Sequence, residues 1–335
     1  AGADPGPACF GKGEDPTVTD ADLVLGLVPD DYFLGGDMTP DVAHSRSAID
    51  KVAKPLGLDT VQAAYSIFIL ANATMANEIM KLSTQRGYDI RKATMIVGGG
   101  SGPVHAGFIA DRLNIPSVVV PSVASLYSAF GMYAMDIGED YARSYVRRMN
   151  SAESSEVNGL YKEMEEEALA AFEKIGVDEK DIRFRRTIEM RYIGQFHEVE
   201  VGVEGGEVTQ EILVKTAEAF GAKHQELFTF AMPWKGVEML TLRVKATTPN
   251  AAFNLPEISS GGPDASAAGK RTRQCYFGDG FVEVQVYDGN NLEADNLVPG
   301  PAIIEEATTT VVIPENYDCL VNSNKNYVLT RNSGG

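Results

Sequence analysis

Cysteine is scarce in this 335-residue chain. Cys9, Cys275 and Cys319 stand far apart and form no C-x-x-C pair, which argues against a disulfide framework or a cysteine zinc site. No run of about eighteen apolar residues occurs, so no membrane-spanning helix is expected, and no secretory signal pattern is present; a cytoplasmic location is the default expectation. Positive charge is also short. The formal net charge is −18, and a chain this acidic repels phosphate backbones and anionic lipid at long range; neither nucleic acid nor membrane is expected as a partner. Catalytic signatures are equally sparse. The four histidines, His44, His105, His197 and His224, include no i, i+4 pair for an H-E-x-x-H helix. No G-x-S-x-G elbow occurs, no metal site is readable, and no catalytic residue can be assigned. There is no internal repeat.

What is present is an ordinary globular composition, 44% hydrophobic and 23% charged, long enough for two domains. The chain lacks an initiator Met and opens in a Gly/Pro-rich stretch, A-G-A-D-P-G-P-A-C-F-G, so a processed piece of something longer is expected. Residues 1–40 read as loop-rich, with a short helix starting near Thr19 or Asp20. Helices are expected over residues 41–56 and 59–86, the second capped by Asp59 and ended by Gly87. Apolar residues on nearly all faces of the second predict a helix buried among others. Its Asn72, Asn77 and Glu78 must then bond to neighbours, or face a ligand or partner. Cys9 has no base beside it and reads as structural.

The chain's most informative stretch is T-M-I-V-G-G-G-S-G-P-V-H-A-G, residues 94–107. A short apolar strand ends in Gly98, Gly99, Gly100 and Gly102; Pro103 and His105 follow at the head of a helix. Such a turn brings backbone N–H groups up to a ligand, and the helix start favours anions. The alternative is a tight strand-to-helix turn that binds nothing. The spacing matches neither G-x-x-x-x-G-K-[ST] nor G-x-G-x-x-G, because no Lys follows and Pro103 holds the third glycine position. His105 could contact a phosphate or base, or only cap the turn. A second apolar strand, residues 117–120, completes a parallel βαβ unit, and residues 122–136 read as another helix.

Beyond a polar boundary at residues 150–156 the pattern changes. Helices are expected over 155–176 and 209–228, and strands over 183–195, 196–203 and 237–247. His197 and Glu198 would fall on opposite faces of one of those strands. Residues 259–270 read as a Gly/Ser/Ala linker, before strands at 274–277, 281–287, 302–305, 308–313 and 327–330. The predicted division is therefore 1–149 and 150–335, the latter α+β and β-rich.

Taken in order, G-A-D-P-G-P-A-C-F-G, P-T-V-T-D-A-D-L-V-L-G, F-L-G-G-D-M, V-G-G-G-S-G-P-V-H-A-G, S-A-F-G-M, M-R-Y-I-G-Q-F-H-E-V and G-P-A-I-I-E-E span essentially the whole chain. They resemble the C-terminal half of the hydantoinase A/5-oxoprolinase family, which includes the ATP-dependent subunits of acetone and acetophenone carboxylases. The resemblance implies an α/β fold, half of an actin/hexokinase-like ATPase, in residues 1–149. It implies that Gly98, Gly99, Gly100, Gly102, Pro103 and His105 contact the adenosine end of ATP. The phosphate loops of D-x-G-G-T type, absent from this chain, would lie on a missing N-terminal half. It further implies ATP and Mg²⁺ as cofactors, a small carbonyl substrate activated as a phosphorylated enol or imidate, and a hydantoinase B-like second subunit. The glycine block and M-P-W-K-G-V-E-M lean toward a ketone carboxylase. Hydrolysis of a lactam, hydantoin or 5-oxoproline is the alternative, as is a non-catalytic assembly module; the fragment alone is expected to be inactive.

Overall fold

The computed structural model describes residues 2, 4–250 and 255–332. In chain order the elements are α1 (Val18–Val24), α2 (Val42–Leu56), α3 (Thr60–Gln85), β1 (Thr94–Ile96), α4 (Gly102–Leu113), β2 (Ser117–Val120), α5 (Tyr127–Ala134), β3 (Ile137–Arg148), α6 (Ser154–Lys174), β4 (Arg183–Tyr192), β5 (Val199–Val203), α7 (Gln210–Phe228), β6 (Val237–Thr248), β7 (Gly269–Tyr276), β8 (Phe281–Asp288), β9 (Leu297–Pro299), β10 (Ala302–Glu305), β11 (Thr310–Ile313), β12 (Tyr317–Val321) and β13 (Tyr327–Arg331). Mixed helices and sheets make this an α/β fold.

The chain forms two compact units, one from residues 1–133 with 254–335, the other from residues 134–253. This differs from a single division at 149/150. The physical reason is strand pairing: β13 lies antiparallel on β2, with Val328 opposite Val119, so the C-terminal strands complete a sheet that β1 and β2 begin.

In the first unit, β1 and β2 pair in parallel through the βαβ crossover of α4, as the glycine stretch predicted, and the sheet continues in the order β1-β2-β13-β12-β9. A second sheet runs β11-β10-β8-β7. One apolar core joins α4 to the first sheet through Ile109, Ala110, Val118, Val120, Tyr317 and Leu329. A second packs α1, α2 and α3 on β8, β10 and β11 through Leu25, Ile49, Phe68, Val286 and Ile303. Residues 259–270 are not a free linker. Ser260 bridges to Ala294 and Asp264 to Leu297, and Ala265 and Ala268 are buried.

Local chemistry explains the helix ends. Thr17, not Thr19 or Asp20, caps α1: its hydroxyl accepts from the Asp20 N–H while the Asp20 carboxylate reaches back, a reciprocal capping box. Asp59 and Gln62 make the same box at α3. Helix α3 is not buried on all faces, since Leu70, Leu82 and Met80 are exposed while Ala64, Phe68 and Asn72 face inward.

The second unit is a four-stranded antiparallel sheet, β3-β6-β4-β5, with α6 and α7 contributing Tyr161, Met164 and Phe220 to its core. His197 and Glu198 precede β5 rather than lying on it, and both are exposed. His224 on α7 is buried, its ring nitrogens placed 2.7 Å from the Phe230 carbonyl and 3.2 Å from Gln195 Oε1.

Candidate functional site around the glycine turn

Strand β1 is short because the chain turns sharply after Val97, whose N–H donates to the Val119 carbonyl at 2.9 Å. The four glycines then serve different needs. A Cβ on Gly98 would stand 2.9 Å from the Tyr127 ring, one on Gly102 2.9 Å from Val97 Cγ1, and one on Gly100 3.3 Å from the Thr308 carbonyl oxygen. These three are required by close packing within the protein. Gly99 is different: φ is +101° and nothing lies within 4 Å of its Cβ position. Its left-handed backbone excludes most side chains, and it faces open space. Thr309 Oγ1 clamps the turn by donating to the Gly100 carbonyl at 2.7 Å.

Helix α4 begins at Gly102 with Pro103 in its first turn, a position where the missing proline N–H costs no intrahelical bond. Ser101, at the N-cap, makes no side-chain cap bond, so the helix start is left without a side-chain acceptor for its free N–H groups. Pro103 is buried.

His105 neither caps the turn nor offers its nitrogens to the outside. It is 6% exposed and stacks on Phe68 with 5.1 Å between ring centres. Nδ1 lies 2.9 Å from Asn72 Oδ1 and Nε2 3.3 Å from Asp22 Oδ2. Asn72, one of the polar interruptions of α3, is therefore paired as a buried amide must be; Asn77 and Glu78 are exposed. The Asn72 oxygen accepts from Nδ1–H, and Nε2 faces the Asp22 carboxyl. Burial pushes the Asp22 carboxyl above its usual range, opposed by the hydrogen bond and charge of His105. Two ends of this chain lack a partner among the described residues: Asp22 Oδ1 and Asn72 Nδ2.

Asp20, two residues away on α1, has the opposite environment. Its carboxylate accepts from the N–H groups of Ala8 (3.1 Å), Cys9 (2.8 Å) and Thr17 (3.0 Å) and from the hydroxyls of Thr17 (2.7 Å) and Ser45 (2.6 Å). Burial alone would raise it, but these bonds together hold Asp20 below the ordinary carboxyl range. It fixes the opening loop onto α1 and α2. Burial, with Asp20 beside it, pushes the Cys9 thiol up to about 12, which fits the structural role expected for it.

Two hollows border the glycine turn. One is a cleft of about 160 Å³ with a mixed wall: Thr19, Asp22, Ser101, Glu306 and Thr308–Thr310 on the polar side, and Val28, Pro29, Phe33, Leu34 and Val104 on the apolar side. Among the described residues no Lys or Arg lines it. The other is an apolar groove of about 460 Å³, lined chiefly by Met75, Ile79, Met95, Val97, Gly98, Gly102 and Ile109, with His105 at its wall. The Asp22–His105 pair thus joins the wall of one hollow to the wall of the other. Glu306 Oε1 accepts from the Tyr327 hydroxyl and lies 3.4 Å from Lys325 Nζ. Its neighbour Glu305 is fully buried and faces Lys270 and Arg271, each at 2.8 Å, and Arg273.

The structure brings Gly98, Gly99, Gly100, Gly102, Pro103 and His105 into one turn and helix start. Sequence reasoning missed Asp22 and Glu306. Their signal was an acid inside an apolar segment, L-V-L after Asp22 and A-I-I before the Glu305–Glu306 pair.

Among the described residues no group of three or more His, Cys, Asp or Glu side chains is placed to hold a metal ion, and no helix is long and apolar enough to cross a membrane.

The hydantoinase/oxoprolinase profile matches residues 1–141, and the hydantoinase/oxoprolinase C-terminal domain profile matches residues 145–330. The acetophenone carboxylase gamma subunit of Aromatoleum aromaticum is 33% identical across 94% of this chain and 44% of its own length. The caprolactamase subunit alpha of Pseudomonas jessenii is 31% identical across 98% of this chain and 48% of its own. The crystal structure of that organism's ATP-dependent caprolactamase superposes with a TM-score of 0.77 over 99% of this chain and 49% of its own. A nucleotide-free acetone carboxylase structure shares the fold, with a TM-score of 0.83 at 24% identity over 97% of this chain and 48% of that one. The chain spans about half the length of the curated relatives it matches. On the strength of both profiles, this chain belongs to the hydantoinase/oxoprolinase family.

Proposed function

We propose that the chain is the C-terminal part of an ATP-dependent hydantoinase A-type subunit that activates a small carbonyl substrate by phosphorylation. The observation that carries the reading is the pairing of the two hollows at the glycine turn. An apolar groove beside Gly98 and Gly102 suits a flat base, and the turn's open Gly99 lets a ligand approach the backbone. The adjoining cleft carries Asp22 and Glu306 without a lining cation, which suits hydroxyl and amine donors and disfavours phosphate. The residues present therefore fit the adenosine end of ATP and leave the phosphates to the N-terminal half. When bound, ATP supplies the phosphoryl group that turns a carbonyl oxygen into a leaving group. No Mg²⁺ ligand is assigned in this chain.

The proposed assembly holds a hydantoinase B-like second subunit and works in the cytoplasm, and this chain alone is inactive. We favour a ketone carboxylase, on the sequence of the glycine block and of residues 232–239. Lactam or hydantoin hydrolysis is the second reading, supported by 31% identity to the caprolactamase subunit along 98% of the chain. Phosphate release by the whole complex decides between them. A carboxylase requires bicarbonate with acetone or acetophenone, whereas a hydrolase releases phosphate with a lactam or hydantoin and no bicarbonate. Release with neither set would end the proposal.

A further inference from the structure

We infer that Asp22 is the ligand-reading carboxylate of the cleft it shares with Gly100, Ser101 and Glu306, and that its Oδ1 accepts a hydrogen bond from a neutral hydroxyl or amide N–H of the occupant. The inference rests on the proposed function, which supplies two occupants with that chemistry: the ribose hydroxyls of a nucleotide and the N–H of a cyclic amide.

The argument starts from an orphan. Asp22 is 2% exposed, yet Oδ1 has no partner, and a buried acceptor without a donor is costly. Oδ2 is committed to His105 at 3.3 Å, so the orphan is not the result of a rotated carboxylate that has lost its only bond. Asp22 lines the cleft together with Gly100, Ser101 and Glu306. Asp20, on the same short helix, shows what this region does when a carboxylate is structural: it surrounds it with five donors. Asp22 receives one partner and keeps one oxygen in reserve.

His105 and Asn72 are positioning residues. Asn72 on α3 accepts from Nδ1–H and fixes the tautomer, Phe68 supports the ring, and Nε2 holds Oδ2.

The test measures equilibrium binding to the protein in its natural complex with two matched pairs: adenosine against 2′,3′-dideoxyadenosine, and a six- or seven-membered lactam against its N-methyl form. Wild type should prefer the donor-bearing member of one pair by about 10-fold or more, the scale of a hydrogen bond to a charged group. The pair that shows the preference identifies the source. Asp22→Leu should erase that preference, so that the two members of the pair bind alike. Asp22→Asn, close in shape and still an acceptor, should retain a reduced preference, and it serves if the leucine variant fails to fold. His105→Phe, which keeps an aromatic ring on Phe68, should narrow the preference; a role in packing alone would leave it unmoved. Equal binding within both pairs by wild type, or an undiminished preference in Asp22→Asn and Asp22→Leu, would overturn the inference. Failure of wild type to bind any adenosine compound would instead sink the nucleotide reading, leaving the lactam pair to decide Asp22.

Discussion

The two units both bury apolar cores, but they differ in the polar groups they bury. In the second unit the buried polar side chains are Thr187, Thr216, His224 and Thr248, while in the first they include Asp20, Asp22, Asn72, His105 and Glu305. All buried carboxylates among the described residues fall in the first unit, as do the three buried polar atoms without a partner, on Asp22, Asn72 and Arg273. The second unit has ion pairs too, such as Arg186 with Glu165 and Arg143 with Glu163, but none of their carboxylates is fully buried as Glu305 is. A sheet with two helices is stable without buried charge, because burial of side chains such as Tyr161, Met164 and Phe220 supplies the driving force. Buried carboxylates in the first unit are costly unless paired; Asp20 and Glu305 are surrounded by donors, whereas Asp22 keeps one oxygen without a partner among the described residues.

The largest effect that could break this contrast is expected at Glu305. Glu305→Leu removes the buried carboxylate shared by Lys270, Arg271 and Arg273, of which Arg271 also pairs with Asp31, and should destabilise the first unit by about 3 kcal/mol, measured by urea unfolding. A change below about 1 kcal/mol would mean that this cluster is no different from a surface pair. Asp20 comes next. Its folded carboxyl titrates below its unfolded counterpart, so its contribution is present above the unfolded value, about pH 4, and disappears as pH falls through the lower folded value. Asp20→Asn should lower stability by about 2 kcal/mol at pH 7, and the gap to wild type should close as pH falls below about 4. A gap independent of pH would contradict the assignment. The smallest effect compares two glycines. Gly98→Ala places a methyl 2.9 Å from Tyr127, whereas Gly159→Ala on α6 meets nothing within 4 Å. The first should destabilise by about 1 kcal/mol and the second stabilise by about 0.5–1 kcal/mol, read from melting temperatures. Equal signs would show that the turn is less tightly packed than described.

Much of the local structure was legible in the sequence. Helices α2, α3 and α7 begin beside the acids and hydroxyls that cap them, and β2 is the expected S-V-V-V. The glycine turn stood out because four glycines cluster after an apolar strand. Strand β3 was missed because most of its residues are exposed and apolar residues do not alternate along it. Its place is fixed by pairing with β6 along ten registered positions, a non-local cause. The packing of residues 259–270 and the return of β12 and β13 to the first sheet were missed for the same reason. In the site, its position just after the glycine block made His105 a ligand candidate. Only the structure shows that Asn72 and Asp22, drawn from two other helices, occupy its nitrogens and move the open acceptor to Asp22.

The central claim is that the glycine turn is one wall of a nucleotide site. Calorimetric titration of a hydrolysis-resistant ATP analogue into the natural complex tests it most directly, with wild type compared to Gly99→Val. Gly99 is the residue of the turn whose Cβ would meet no protein atom and would point into open space. The account predicts binding by wild type and at least about 10-fold weaker binding by the variant, from a strained backbone and a blocked approach. Equal affinity in the two proteins, or no binding by wild type, would contradict it.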